Sequence, residues 1–291
     1  MQLIAFILIY PILLIVSILP FRLLYMFSDV LYFILYRLIG YRISTVKDNL
    51  KLVFPNKSED EINVITNTFY RHLCDMIVEA IKSMSISKRA LERRFTFSNL
   101  ELIHELEAKK RSIALMCGHY ASWEWIFALQ MHVQYEGYAI YKKLRNPYFD
   151  KLVKRIRARH NSHLITTKET YKTVKEVEAR NELAIYGFAA DQSPRTGKGN
   201  YWLPFLGINV PVFTGAENLS KKHDFTVIFM RVSRLKRGYY SAEFEVLTED
   251  PRSIKDYEIT DRFYKLLEQQ ITEAPAYYLW THKRWKHRVK D

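Results

Sequence analysis

Residues 1 to 21 carry no charged side chain, and Leu3 to Phe21 is almost wholly aliphatic or aromatic. Whatever this chain folds into must find apolar surroundings for its first helix. As a helix, Leu3 to Phe21 would measure about 28 Å, against a bilayer hydrocarbon core of about 30 Å. It is long enough to span. No cationic segment precedes it and no small-residue cleavage site follows it, which predicts a retained membrane anchor over a cleaved signal peptide. Pro11 and Pro20 interrupt the stretch, and because proline is tolerated in membrane helices a kinked or re-entrant helix stays open. The first charges, Arg22, Arg37, Arg42 and Lys47, all follow it. By the positive-inside bias they keep the rest of the chain in the cytoplasm. Leu23 to Ile39 continues apolar and aromatic, as a helix lying on or dipping into the membrane or as a core helix of the globular part. Residues 1–40 are therefore expected to form an anchor and interfacial helix, and 41–291 a second domain.

Forty-four Lys and Arg against 31 Asp and Glu give a net charge of +13, which favours anionic partners such as phosphates, acidic proteins or anionic lipid headgroups. No zinc-finger spacing, basic zipper or aromatic RNA-binding signature accompanies the charge, so nucleic acid is not expected. With 48% hydrophobic residues the chain can build a large core, and only nine glycines and nine prolines argue against linker-rich architecture. Cys74 and Cys117 sit inside apolar patterns, without the spacing of a metal site or disulfide framework, which points to a reducing compartment.

Ser58-Glu59-Asp60-Glu61 has the form of a capping box, and the apolar residues from Ile62 to Ala80 follow at three- and four-residue steps, predicting one long helix. Glu79 near its end reads as a solvated carboxylate, or as one reaching toward a site. From Arg93 onward short apolar runs alternate with amphipathic stretches. Strands are expected near Phe95 and over 112–117, 137–141, 163–166, 183–189, 225–232 and 239–247, with helices over 100–109, 147–159, 171–179, 215–222 and 259–272. This alternation predicts an α/β fold with a mixed, mainly parallel sheet flanked by helices. In such sheets sites form beyond the carboxyl ends of the strands, where both His119 and Asp191 fall.

The run Ser112 to Cys117 leads directly into Gly118-His119-Tyr120-Ala121-Ser122-Trp123-Glu124. A helix turns about 100° per residue, so side chains five apart point about 140° away from each other and cannot share a proton on one helix. The pair His119 and Glu124 can meet only across a turn. His119 is accordingly expected in the connection leaving the strand and Glu124 in the first turn of the next helix, where a carboxylate suits the positive helix end. An imidazole held by a carboxylate is a general base. Gly118 would let the chain turn sharply and a substrate approach the backbone.

Further along, Lys142 to Arg159 contains eight Lys or Arg residues and one acid, Asp150. Arg155 and Arg159, four apart, would project from one helix face, and an arginine fork suits a phosphate. Asp191-Gln192-Ser193-Pro194-Arg195 opens a donor-rich loop expected to contact substrate. It is not a nucleotide P-loop, because Lys198 is followed by Gly199. Tyr201 to Phe205 could line a hydrocarbon tunnel or simply pack in the core. Ser122 lacks the flanking glycines of a hydrolase elbow, and His160 with His163 lacks the partners of a zinc set. Thr281 to Arg288 is basic and aromatic, either a solvated tail or a contact for lipid headgroups or an acidic partner.

With these residues in place, nearly the whole chain resembles the lipid A biosynthesis late acyltransferases, within the wider glycerolipid acyltransferase superfamily. The resemblance rests on the N-terminal apolar segment, Asn49-Leu50 to Phe54-Pro55, His119 with Glu124, Arg157-x-Arg159, Asp191-Gln192, and Tyr278 to Arg284. It implies transfer of a fatty acyl group from acyl carrier protein to a hydroxyl of a phosphorylated glycolipid, at the cytoplasmic face of a bacterial inner membrane, without cofactor or metal. In that reading His119 is the general base and Glu124 orients its imidazole. Arg159, with Arg155 beside it, holds an acceptor phosphate, and Asp191 and Gln192 bind substrate, Asp191 fixing Arg159 or an acceptor hydroxyl. The loop after Asp191 does not match one acceptor. An aminolipid, a phosphatidylinositol mannoside or a non-catalytic binding role remain as alternatives.

Overall fold

The computed structural model describes residues 1–158, 162–195, 197 and 200–289. Ten α-helices and nine strands are found among them: α1 Gln2–Ile18, α2 Phe21–Tyr32, α3 Ile43–Val53, α4 Glu59–Lys82, α5 Lys88–Glu92, β1 Phe95–Phe97, α6 Leu100–Ala108, β2 Ile113–Cys117, β3 Glu136–Tyr141, α7 Pro147–Arg157, β4 Ser162–Thr166, α8 Thr170–Ala179, β5 Ala184–Ala189, β6 Tyr201–Phe205, β7 Ile208–Val212, α9 Gly215–His223, β8 Thr226–Lys236, β9 Tyr239–Thr248 and α10 Glu258–Glu273. Seven strands form one sheet in the order β1-β9-β8-β2-β5-β3-β4, and β6 and β7 form a separate antiparallel ribbon. Only the β8–β9 pairing within the large sheet is antiparallel; β2 runs parallel to both β5 and β8, and β3 parallel to β5 and β4. The mixed, mainly parallel α/β arrangement expected from the alternating runs is what forms. β2 lies near the middle of the sheet, and all five of its residues are buried, as a strand covered on both faces requires.

The parallel pairing brings the ends of β2, β3, β4, β5 and β8 to one edge of the sheet. β8 is long enough to pass beyond that edge: its first residues pair with β2, and the remainder pairs only with β9. The projecting β8–β9 turn is held by the N-terminal helices. Arg237 in the turn donates to Asp29 and to the buried Asp75, which also accepts from Ser28 Oγ. Arg234 completes the set around Asp75 at 3.3 Å.

The helix predicted from the capping box is α4. Ser58 caps Glu61 N–H while the Glu61 carboxylate returns to Ser58 N–H. Its buried face differs from the apolar stripe, because Ile77 is exposed while His72, Asp75 and Glu79 are buried. Glu79 is thus neither solvated nor in a site. It accepts from Tyr25 Oη at 2.8 Å and Tyr240 Oη at 2.9 Å, tying α2, α4 and β9 together. Burial, reinforced by the nearby Asp75 charge against the lowering effect of the two tyrosine donors, pushes its carboxyl up to about 8.

At the N-terminus the structure ends α1 at Ile18, and the chain turns at Leu19-Pro20 into α2. No single helix among the described residues is long and apolar enough to cross a membrane; the segments Phe21–Leu38 and Ile43–Val53 pass such a test only as a pair bent by 84°. The continuous 19-residue span read from the sequence is therefore broken at Pro20, where the missing N–H and fixed φ end the helix.

A neutral Glu79 in the folded protein must compete with an ionised one in the unfolded chain at any pH above about 4.3. Its stabilising contribution is complete below the unfolded pKa and is lost as pH rises through about 8. Chemical denaturation between pH 4.5 and 8 should show Glu79→Gln with a flatter stability profile than the parent protein. An unchanged slope would contradict the buried neutral carboxyl.

Candidate active site

The parallel register of β2 on β5 pairs Cys117 with Ala189. Each strand then runs two residues further before its functional side chain, so His119 and Asp191 emerge side by side at the carboxyl edge. The His119 Nδ1 lies 2.7 Å from Asp191 Oδ1. A carboxylate only accepts, so Nδ1 carries the proton and Nε2 presents a lone pair. That lone pair is met by the Gln192 side-chain amide at 3.2 Å. Asp191 is buried while His119 keeps part of its ring open. Burial alone would lower the imidazole pKa, but the Asp191 charge and hydrogen bond, with the charge of Glu124 adding, raise it above the ordinary value. Asp191, pushed up by burial, is brought below the usual carboxylate range by His119 and by backbone N–H groups. The two shifts agree in describing an imidazole that holds its proton more tightly.

The loop carrying His119 is fixed along its length. Tyr120 forms an antiparallel bridge with Tyr278, His119 C=O accepts Leu279 N–H, and Ala121 N–H donates to Tyr277 C=O. Ala121 has a φ of 49°, a left-handed conformation that disfavours an alanine. Its carbonyl accepts from the buried His72 Nε2 at 3.2 Å. Burial and the Arg234 charge push the His72 imidazole down to about 3, which keeps it neutral. Gly118 does not supply the positive φ. Its hydrogen faces α10, where an added Cβ would lie 2.5 Å from Leu267 Cδ1, so a larger residue there would need the Leu267 side chain to shift.

The expected contact between His119 and Glu124 does not form. Glu124 lies in an irregular turn ahead of a short 3₁₀ segment, Ile126–Met131, and not in the first turn of an α-helix. Its Oε2 pairs with Arg157 Nη2 at 2.8 Å, so its effect on His119 is through charge at a distance. Arg157, at the end of α7, reaches the site from the cationic segment. Arg155 is exposed, because residues two apart on a helix point about 200° apart. Arg159 lies outside the described residues. Asp191, expected to fix Arg159 or an acceptor hydroxyl, holds the His119 imidazole through Oδ1.

Two neighbouring features were not read from the sequence. The closing segment is no solvated tail: Trp280, Arg284 and Trp285 are buried. Ser193, next to Gln192, donates its N–H to His282 Nε2 at 3.3 Å and its hydroxyl to Arg284 C=O at 2.7 Å. Burial, against the raising effect of the Asp191 charge and assisted by the Arg284 and His119 charges, pushes the His282 imidazole down to about 4. His282 is therefore a neutral acceptor that holds the turn carrying Asp191 and Gln192. Asn49 Nδ2 in turn donates to the Trp280 and His282 carbonyls at 2.9 and 3.0 Å. Tyr201 to Phe205 is strand β6, with Leu203 and Phe205 buried and Phe205 stacked on Trp285, so it serves the core.

Cys117, the last residue of β2, is held as a thiol, since burial and the nearby Asp191 push it up to about 12. What remains at the edge is an oriented base beside a carboxylate–arginine pair, an arrangement suited to activating a hydroxyl.

The family profile described as bacterial lipid A biosynthesis acyltransferase matches residues 2–287, and the chain belongs to that family of acyl-transferring enzymes. It is 25% identical over 251 residues to the lipid A biosynthesis lauroyltransferase of Escherichia coli (strain K12), covering 85% of this chain and 80% of that protein. It is 26% identical over 258 residues to the lipid A biosynthesis acyltransferase of Haemophilus influenzae, covering 86% and 79%. With the lipid A biosynthesis palmitoleoyltransferase of Escherichia coli it shares 24% over 250 residues, covering 85% and 79%.

Histidine-selective NMR, with the His119 signal assigned by its loss in His119→Asn, should find this ring titrating above the ordinary value of about 6.5. Asp191→Asn should bring it down strongly, and Glu124→Gln only slightly. Equal shifts in the two variants would contradict the geometry.

Proposed function

We propose that this protein moves a fatty acyl chain from acyl carrier protein to a hydroxyl of a lipid A precursor, on the cytoplasmic side of a bacterial inner membrane. The observation that carries the reading is the His119 imidazole, whose Nδ1 donates to Asp191 and whose Nε2 lone pair meets only the side-chain amide of Gln192. Nε2 takes the hydroxyl proton as the oxygen attacks the thioester carbonyl. The Gln192 amide occupies the direction from which that hydroxyl approaches, and gives way to it. The tetrahedral intermediate then collapses, the carbon–sulfur bond breaks, and the imidazolium returns its proton to the departing thiolate. Asp191 keeps the ring oriented and stabilises its cation. No covalent acyl-enzyme is required.

Glu124 acts on the other side of the site. It fixes the Arg157 guanidinium, whose planar fork suits a phosphate of the acceptor. Arg155 and Arg159 add positive charge to the same stretch of sequence, and in this reading they have an accessory part in holding the acceptor phosphate. The +13 net charge suits both an acidic carrier protein and an anionic lipid.

Residues 1–40 serve as the membrane-contacting segment and 41–291 as the catalytic domain. Leu23, Met26, Phe27, Val30, Phe33 and Ile34 are exposed and recur at three- and four-residue steps. An apolar stripe of this kind in water favours burial in lipid. Arg237 in the β8–β9 turn binds Asp29, which ties α2 to the strand that projects beyond the sheet edge.

The test is acyl transfer in membranes given an acyl carrier protein thioester and a lipid A precursor, with lipid A mass spectra from cells with and without the gene. His119→Ala should lose about 10²-fold or more, and Arg157→Ala should raise the KM for the phosphorylated acceptor. A lipid A mass unchanged by deletion of the gene, with another lipid losing an acyl chain, would move the enzyme to a different acceptor. Full activity in His119→Ala would overturn the mechanism.

A further inference from the structure

We infer that α1 lies in one leaflet, parallel to the membrane surface, with its amino end and the catalytic domain on the same side of the bilayer. This rests on the proposal that the protein works at a membrane. Both ends of α1 are docked on the same folded body. At the start, Asn146 Nδ2 donates to Gln2 C=O at 3.1 Å, and the Phe6 ring meets Phe149 edge-on at 5.2 Å. At the end, Lys82 Nζ donates to the Ser17 and Leu19 carbonyls at 2.7 and 2.8 Å, supplying the donors that the last turn of a helix lacks. The first docking site is the beginning of α7 and the second is the end of α4. The 17 residues of α1 therefore bridge about 26 Å along the domain.

A helix crossing the bilayer would place those two docking sites on opposite sides of it. α7 cannot follow, because it is the crossover between β3 and β4, which pair with each other in the central sheet. Its amino end also sits among Lys142, Lys143, Arg145 and Lys151, all exposed, and cations are strongly disfavoured in the hydrocarbon core. Lying flat resolves the conflict. Ile4, Ile7, Leu8, Ile12, Ile15 and Ile18 are each more than half exposed and form one stripe along α1. In the flat pose this stripe enters the acyl region to a depth of about 5–10 Å, while the cations at the α7 end meet anionic headgroups. A single leaflet of an anionic bilayer is the occupant that fits both features.

The test uses the full chain, in which Cys74 and Cys117 are buried and so silent to a membrane-impermeant maleimide. Gln2→Cys reports the amino end, and Lys172→Cys, on an exposed position of α8, reports the catalytic domain. Each is labelled in spheroplasts and in inverted inner-membrane vesicles. Labelling of both positions from the same side is the expected result, and labelling from opposite sides overturns the inference. Failure of the underlying membrane reading shows separately, as recovery of the unlabelled full chain in the soluble fraction.

Discussion

The parallel pairing of β2 with β5 is the constraint on which the rest of the site depends. Cys117 opposite Ala189 means that two side chains, each two residues past its strand, meet at 2.7 Å. A shift of register by one residue would turn one of them to the other face of the sheet. The hydrogen bond also sets the chemistry. It assigns the proton to Nδ1, leaves Nε2 as the basic atom, and raises the imidazole pKa despite burial.

Around this pair the chain supplies braces from distant segments. Asn49 on α3 holds the Trp280–His282 backbone; that segment holds Ser193 and bridges to Tyr120. These bonds link α3, the loop carrying His119 and the closing residues to one another. Glu79 and Asp75 on α4 serve the same end at the β8–β9 turn, where buried carboxylates are met by tyrosine hydroxyls and arginines. Polar groups buried this deeply are tolerated because they are hydrogen-bonded.

The fold was legible because its signals are local. Alternating apolar runs marked the strands and helices of the sheet, and the capping box at Ser58 marked the start of α4. The place of His119 just past a buried strand was readable for the same reason. Its partner was not. Glu124 is near in sequence and Asp191 is 72 residues away, and only strand order and register, which no local pattern encodes, decide between them. Spacing correctly excluded one helix face for His119 and Glu124, but a turn after a strand need not lead into an α-helix, and here it leads into a 3₁₀ segment. The closing basic segment misled for a related reason: Arg284 is polar by type yet buried by tertiary contact, and His282 beside it is half-buried. Composition likewise could not show that α1 is pinned at both ends.

The central claim, that His119 and Asp191 act as one unit, is tested most directly by a double-mutant cycle on acyl transfer with His119→Ala, Asp191→Ala and the pair. If Asp191 works through the imidazole, the double variant loses about as much activity as His119→Ala alone, as residues acting as a unit are strongly non-additive. Losses that multiply across the two sites would mean that Asp191 acts independently, and would contradict the account.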